Sequence, residues 1–587
     1  MHHTRQAQVN LKHFYIDPVY CRNRYTNWRC HLASSQRTTK DELIEQDIKR
    51  LHGLGYAQEL FRSMGGFSNF AISFTIISIL SGCVTLFYLV PTTSGFAAAS
   101  IGWPLVTIFV VIVALGMAEL ASAYPTAGGL YYWASKLGGP GWGWFTGWFN
   151  MIGQFGITAG IVYGSAVTID VLLHAWLPSI PATAPAFTNG AFVLDAATQW
   201  SILLIYAIIL VVHATLNIFG VRIVAFLNDI SVGWHIVFVA LIALAVIIAT
   251  AASLQFNPGT AGVCCAAQVA SSHVVGFNGP GRVFLIDNNF NTTGFPIWYA
   301  FLLSLLLAQY TYTGYDASAH MTEETVGAET RAPWGVVMSV VVSAIAGYVL
   351  LMSLVVATPD LAAAGSFVNP VLYILESRIG YIFGTLLFAS IAVAQLFCGM
   401  SSVTSNSRMI YAFSRDGAVP FHNVWHRLNS GRTPRNAIIL AAAAAFVLAI
   451  PTVFNYTAYF AVTSIATIGL YIAYALPILL RFFAKDFKPG PWHLGAWSKP
   501  IGAIAVIWVV LISILFMLPT ANPINAGNFN YTPVVVLGTF LIIGIWWLAG
   551  ARVWFKGPII QGSAEDLAAI ERSIGETHVV EGAAGGK

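Results

Sequence analysis

Long stretches of this chain carry no charge at all. No Asp, Glu, Lys or Arg lies between Lys136 and Asp170, between Asp195 and Arg222, or between Asp229 and Arg282. The same holds between Asp287 and Asp316, Arg331 and Asp360, Arg378 and Arg408, Arg435 and Arg481, and Lys499 and Arg552. A helix needs about 20 apolar residues to cross the hydrocarbon of a bilayer. Several of these runs hold one such helix. The last two hold two each, interrupted at 451–455 and 519–523. Charged residues make up 9% of the chain, against about 25% in a soluble domain. So few charges cannot cover a water-facing surface, so most of the surface faces lipid.

The pattern predicts an all-α integral membrane protein of twelve spans, roughly at 67–92, 101–123, 142–169, 199–219, 223–252, 295–321, 333–357, 382–412, 436–452, 457–482, 500–519 and 532–555. Lys and Arg then fall on one side. That side receives Arg22, Arg24, Lys49, Arg62, Lys136, Arg222, Arg331, Arg408, Arg415, Arg435, Arg481, Lys499 and Arg552 among others, and the opposite side keeps Arg282 and Arg378. By the positive-inside rule both termini are expected in the cytoplasm, with the protein in the plasma membrane.

Outside the spans, residues 1–62 read as a cytoplasmic segment, its first forty without periodicity and 41–62 able to form a short amphipathic helix. Residues 253–294 read as an extracellular loop and 556–587 as a cytoplasmic tail. No secretory signal peptide is expected, because the first apolar run starts near Phe67 and is too long for one. The basic residues form no single patch, so no nucleic-acid partner is expected. Cys83 and Cys398 fall in spans, Cys21 and Cys30 in the N-terminal segment, and Cys264 and Cys265 in the long loop. No Cys or His spacing suggests a metal, no cofactor is implied, and soluble-enzyme motifs are absent.

Two spans carry residues that interrupt a helix near mid-bilayer. Span 1 contains Ser81, Gly82, Cys83, Val84 and Thr85; span 6 contains Tyr312, Thr313, Gly314 and Tyr315, followed by Asp316. A freed backbone group inside a membrane must face protein, water or a ligand. Small residues also serve helix packing alone. Two breaks five spans apart fit inverted repeats, spans 1–5 (67–252) and 6–10 (295–482), with spans 11 and 12 (500–555) outside them.

Ionisable groups within spans are expensive and point to function. Asp316 is the candidate proton site or gate; its alternative reading is an N-cap for the second half of span 6. Glu119 in span 2 and Asp229 in span 5 are placed to hold loops, with Glu119 kept as a coupling candidate. His235 in span 5 could titrate or simply pack, and His213 lies in span 4. Ser401, Ser402 and Ser405 of span 8 could line a cation site or back-bond to their own helix.

Several stretches resemble the amino acid–polyamine–organocation permeases, in the branch that carries amino acids, GABA, choline and related amines. They include Leu54–Leu60, Phe67–Phe74, Ala118–Trp133 (with Pro125, Gly128 and Gly129), Gly147–Asn150, Gly314–Glu324 and Ser405–Gly417. The resemblance runs from about Gly53 to Lys556. It implies a five-plus-five inverted-repeat core with discontinuous spans 1 and 6, and transport by alternating access. It further implies that backbone N–H groups around Ser81, Gly82, Cys83, Val84 and Thr85 hold a substrate carboxylate. Tyr312, Thr313, Gly314 and Tyr315 would offer carbonyls to an amine and an aromatic lid, Asp316 would gate, and Gln154 of span 3 would line the cavity. Two departures stand out. Many relatives have Gly-Gly-Pro after span 1, where this chain reads Thr92-Thr-Ser-Gly-Phe-Ala, and span 5 lacks the Lys of some proton-coupled members. The coupling ion is expected to be a proton, with sodium the alternative. The partners expected are a small amino acid or amine and the lipid bilayer, with the protein a monomer or loose homodimer. A choline or polyamine carrier, an exchanger, and a sensor or channel on the same fold are the alternatives.

Overall fold

The charge-free runs fold as helices. The computed structural model describes residues 39–177, 186–188, 191–193, 196–259, 273–454 and 457–573. Cys21, Cys30, Cys264, Cys265 and the expectation about the first thirty-eight residues lie outside these. Among the described residues, ten helices are long and apolar enough to cross a membrane. They are Gly66–Thr85, Ala97–Ala123, Pro140–Trp176, Thr198–Ile218, Arg222–Ala251, Ala328–Ala357, Tyr381–Arg415, Ala458–Arg481, Gly495–Met517 and Thr532–Trp554. These correspond to predicted spans 1–5, 7, 8 and 10–12. Spans 6 and 9 are the shorter apolar helices Ile297–Thr311 and Arg435–Ala449. The protein is therefore a multi-pass, all-α membrane protein.

Burial separates an inner set from an outer one. In spans 1, 3 and 10, 83% of the most apolar window is buried, against 33% in span 4 and 17% in span 12. The outer helices show lipid their large side chains, such as Leu204, Val211, Phe226, Leu541 and Ile542. Span 3 packs along spans 8 and 10 at the centre.

Three differences from the sequence reading have plain causes. Span 3 runs to Trp176, beyond the expected 169, because Asp170 does not end it. That carboxylate is buried, accepts a hydrogen bond from Ser201 Oγ at 2.7 Å and lies 3.4 Å from His174 Nδ1. Two helices that are too short to cross, Gly129–Gly138 and Pro370–Ile379, occupy connections read as loops. The N-terminal helix is Lys40–Leu54 and stops short of 62 because Gly55 turns the chain at φ 100°. A small antiparallel hairpin, Ala186–Thr188 with Ala191–Val193, interrupts the helical plan.

The N-terminal helix and the C-terminal tail meet at one end of the bundle. Asp47 of that helix is buried and accepts hydrogen bonds from the Gly327 and Ala328 N–H groups at 2.6 and 3.1 Å. It thereby supplies negative charge to the N-terminus of span 7, where the helix dipole favours it. Burial raises the Asp47 pKa, and neighbouring Arg62 opposes that shift.

Candidate functional site: two broken helices around Asp316

Span 1 breaks at Ser78, between Gly66–Ile77 and Ile79–Thr85. Ser78 holds a left-handed conformation, φ 35° and ψ 80°. Outside glycine such a conformation costs about 1–2 kcal/mol. Local hydrogen bonds offset it. Ser78 Oγ accepts from the Ser81 N–H at 3.2 Å and lies 2.8 Å from His235 Nε2. His235 Nδ1 faces the Ser231 carbonyl at 2.8 Å, so Nδ1 carries the hydrogen. With neutral imidazole, Nε2 then accepts from the Ser78 hydroxyl. On the other side of the break, the Ile76 carbonyl accepts from Cys398 Sγ at 3.0 Å.

This corrects the expectation for Ser81, Gly82, Cys83, Val84 and Thr85. Their N–H groups are not free. Ser81 and Gly82 donate to the Ser78 carbonyl at 2.8 and 2.9 Å, and Cys83, Val84 and Thr85 lie inside the following helical turns. Among the described residues it is the Ile79 and Leu80 N–H groups that make no hydrogen bond. Gly82 is a packing glycine: a Cβ there would fall 2.5 Å from Thr311 Oγ1 of span 6. Thr85 Oγ1 is taken by Gln395 Nε2 at 3.1 Å.

Span 6 runs as helix to Thr311, turns through 312–316 and resumes as Ala317–His320. Here glycine is required. Gly314 has φ +98°, and a Cβ would lie 2.1 Å from Ile76 Cγ2, so the two breaks touch. Thr313 Oγ1 bonds back to the Tyr310 carbonyl at 2.6 Å. Tyr312 OH lies 2.6 Å from Thr107 Oγ1 and its ring packs on Trp103 at 4.5 Å. The Tyr312 and Thr313 carbonyls accept no hydrogen bond among the described residues.

The halves of the two spans pair crosswise. The first half of span 1 meets the second half of span 6: Ser73 Oγ lies 2.7 Å from Ser318 Oγ and donates to the Tyr315 carbonyl at 3.0 Å, and Asn69 Nδ2 donates to the Ser318 carbonyl at 2.9 Å. The second half of span 1 meets the first half of span 6 at Gly82 and Thr311.

Asp316 sits in the second break with 0% exposure. It stands at the N-cap position of Ala317–His320, as considered above, but its side chain makes no capping hydrogen bond. Its carboxylate instead gathers donors from two other spans. Gln154 Nε2 and Asn150 Nδ2 of span 3 reach Oδ2 at 2.8 and 3.3 Å, and Tyr474 OH of span 10 reaches Oδ1 at 2.8 Å. His320 Nε2 lies 3.3 Å from Oδ2. Tyr315, Tyr471 and Tyr474 form an aromatic cluster around it, with ring centroids 5.0–6.3 Å apart.

The structure thus brings Gln154, Tyr312, Thr313, Gly314, Tyr315 and Asp316 together and joins His235 to the other break. It does not bring in Glu119, whose carboxylate accepts from the Leu494 N–H at 3.2 Å and from Ser498 Oγ. Nor do the span 8 hydroxyls converge. Ser401 Oγ donates to Asn228 of span 5 at 2.5 Å, Ser402 Oγ lies 2.7 Å from Thr158 of span 3, and Ser405 Oγ is buried without a partner. Ser401 and Ser402 tie helices together in different directions, and the three form no cage.

Sequence reasoning missed Asn150, Tyr474 and His320. His320 had a usable signal, because it follows Asp316 by four residues and such pairs share a helix face. Also missed was a lock beneath the site. Arg415 of span 8 pairs with Glu323 at 3.1 Å and lies 3.8 Å over the Tyr56 ring. Arg408 pairs with Glu324 at 2.7 Å. Arg62 donates to the Thr322 carbonyl at 3.0 Å. The tail covers this layer: Gln561 N–H donates to the Gly55 carbonyl at 3.0 Å, His52 Nε2 lies 2.7 Å from Glu571 Oε1, and Ile559 N–H donates to Asp416 at 3.0 Å.

Two interrupted helices crossed around a buried carboxylate, inside a shell of lipid-facing helices, define a membrane transport protein. The chain belongs to the amino acid permease family, whose pattern it matches over residues 64–541. It is 40% identical to a rice (Oryza sativa subsp. japonica) protein named amino-acid permease BAT1 homolog, over 87% of this chain and 95% of that one. It is 39% identical to amino-acid permease BAT1 of Arabidopsis thaliana, over 87% and 96%. A putative polyamine transporter of Candida albicans is 26% identical over 91% and 93%.

Proposed function

We propose that this protein is a secondary active transporter that moves amino acids or closely related amines such as GABA across the plasma membrane, by alternating access and in symport with protons. The observation that carries the reading is the pairing of unfilled backbone groups at two touching breaks. The Ile79 and Leu80 N–H groups sit at the start of one half-helix, and the Tyr312 and Thr313 carbonyls at the end of another. Donors suit a carboxylate and carbonyls suit an ammonium, and the two sets together suit a zwitterion. Gln154 and the tyrosines beside Asp316 complete the wall. The crosswise pairing of spans 1 and 6 supports a five-plus-five repeat, and the Lys/Arg partition supports cytoplasmic termini.

A second reading, a carrier for polyamines or choline, draws on the buried carboxylate and on the aromatic rings, which attract cations. Purified protein in proteoliposomes separates the two. Labelled amino acids, GABA, choline and putrescine are offered under an inward proton gradient. Saturable accumulation of a zwitterion, abolished by collapsing the gradient, is the expected result. Uptake of choline or putrescine alone would favour the second reading, and non-saturating flux would identify a channel.

A further inference from the structure

His320 and Asp316 face each other in a way that requires a proton. The His320 Nδ1 atom lies 3.0 Å from the Ala127 carbonyl, which can only accept, so Nδ1 carries a hydrogen. In neutral imidazole the other nitrogen, Nε2, is then a bare lone pair. It points at Asp316 Oδ2, 3.3 Å away, with both side chains fully buried. Oδ2 already accepts from Gln154 and Asn150, and Oδ1 accepts from Tyr474. Three donors therefore already point at the carboxylate oxygens. Two acceptors would thus oppose each other unless a proton lies between them. Among the described residues His320 Nε2 has no other partner.

We infer that the Asp316–His320 pair is the seat of the coupling proton, bound on His320 Nε2 against Asp316 Oδ2; this rests on the proton-symport reading above. Among the described residues, nothing else nearby competes for the role. Span 3 presents the amides Asn150 and Gln154, span 10 presents Tyr471 and Tyr474, and span 1 presents Asn69 and Ser73. The carboxylates further along the same segment, Glu323 and Glu324, are already paired with Arg415 and Arg408 of span 8.

The position also links the proton to opening. Ala127 lies between the two sites. Its carbonyl holds His320, and its N–H donates to Glu323 Oε1 at 2.9 Å, the carboxylate locked by Arg415. Loss of the proton leaves an anion facing a lone pair. That repulsion acts within the segment 316–320, turns the His320 ring away from Asp316 and strains its bond to Ala127, which passes the strain to the lock. Proton release toward the lock side and loosening of the lock are then one event.

The test uses two replacements. His320→Asn can keep a donor to Ala127, and His320→Gln can keep one toward Asp316; neither holds an exchangeable proton at Nε2. Wild type and both variants are compared in proteoliposomes for solute counterflow, which needs no gradient, and for accumulation driven by a pH gradient. The expected result is counterflow within about threefold of wild type, at least tenfold loss of accumulation, and loss of the pH dependence of KM. Wild-type accumulation and pH profile in either variant would overturn the assignment and leave proton symport standing. Equal loss of counterflow in both variants would show His320 to be structural and also overturn it. Wild-type protein that exchanges solute but ignores the pH gradient would sink symport and this assignment together.

Discussion

The two helix breaks solve the same backbone problem in opposite ways. At Ser78 side chains brace the break: span 5 supplies His235 to the Ser78 hydroxyl, span 8 supplies Cys398 to the Ile76 carbonyl, the residue in the left-handed conformation is not a glycine, and the Ile79 and Leu80 N–H groups stay unfilled. At Gly314 the turn is made by the one residue that permits it, and the adjoining carbonyls of Tyr312 and Thr313 are left unfilled beside a carboxylate. The first break is a joint held by side chains. The second is a joint that leaves chemistry exposed to whatever enters. Substitutions at Ser78 should therefore act through stability, and substitutions around Asp316 through transport.

The largest effect is expected at Gly314. Alanine there meets both faults at once, a φ of +98° and a Cβ 2.1 Å from Ile76 Cγ2. Strain and overpacking each cost about 1–3 kcal/mol. Gly314→Ala should lose uptake at least tenfold together with a fall in thermal stability. Gly82→Ala gives the contrast, because its obstacle is the side chain of Thr311. The double change Gly82→Ala with Thr311→Ala should regain stability, whereas Gly314→Ala with Ile76→Ala should not, since the backbone strain persists. Rescue of Gly314→Ala by Ile76→Ala, measured by melting in detergent, would reduce the second break to a packing contact.

Next in size is Asp316→Asn. Its amide can still accept from Tyr474 but cannot present a charge to His320. Accumulation should fall at least tenfold while counterflow and melting temperature stay near wild type. An unchanged pH dependence would remove Asp316 from coupling, and a collapse in melting would move it to the side of the structural joints.

Much of this plan was legible in the sequence, and the failures share a cause. Charge-free runs and Lys/Arg placement depend on single residues, so twelve apolar segments could be read directly, including the break in span 6, where Gly314 and Asp316 mark themselves. The break in span 1 could not be placed, because what decides it is His235, more than a hundred residues away. Gly82 looked like the interruption and is instead a point of close helix contact with Thr311 of span 6. Ser401, Ser402 and Ser405 looked like one polar face, but their partners Asn228 and Thr158 lie on different helices. Glu119 could be placed near a loop but not matched to Ser498. Local composition reveals that a polar group is buried; which group answers it is a property of the packing.

A smaller effect tests the first joint itself. Ser78→Ala removes the cap on Ser81 and leaves His235 without its partner while keeping the left-handed strain. Ser78→Gly makes the same losses but relieves that strain, which is worth about 1 kcal/mol. Melting temperatures should rank wild type, then Ser78→Gly, then Ser78→Ala. Both variants should keep pH-driven accumulation within a few-fold. A loss of coupling comparable with Asp316→Asn would erase the distinction between the breaks.

The smallest effect lies outside the membrane core, where the tail meets the lock. Asp416 follows span 8, is buried, and accepts from Tyr56 OH at 2.7 Å and from the Ile559 N–H. Burial pushes its pKa up to about 8, with the Ile559 and Tyr56 hydrogen bonds opposing the shift. A carboxyl with a raised folded-state pKa binds its proton better in the folded protein than in the unfolded chain. Its stabilisation is therefore complete below the unfolded value and is lost as pH rises through about 8. Between the unfolded value and about 8 each pH unit removes up to about 1.4 kcal/mol from the docked tail, and above about 8 no more is lost. Asp416→Asn has no proton to lose, and its amide can donate to the Tyr56 oxygen while its carbonyl accepts from Ile559. Protection of the tail amides against hydrogen exchange should decline as pH rises toward about 8 in wild type, level off above it, and stay level throughout in the variant. A parallel decline in both, after correction for the intrinsic exchange rate, would show that another group releases the tail. Its docking would then carry no record of pH at Asp416.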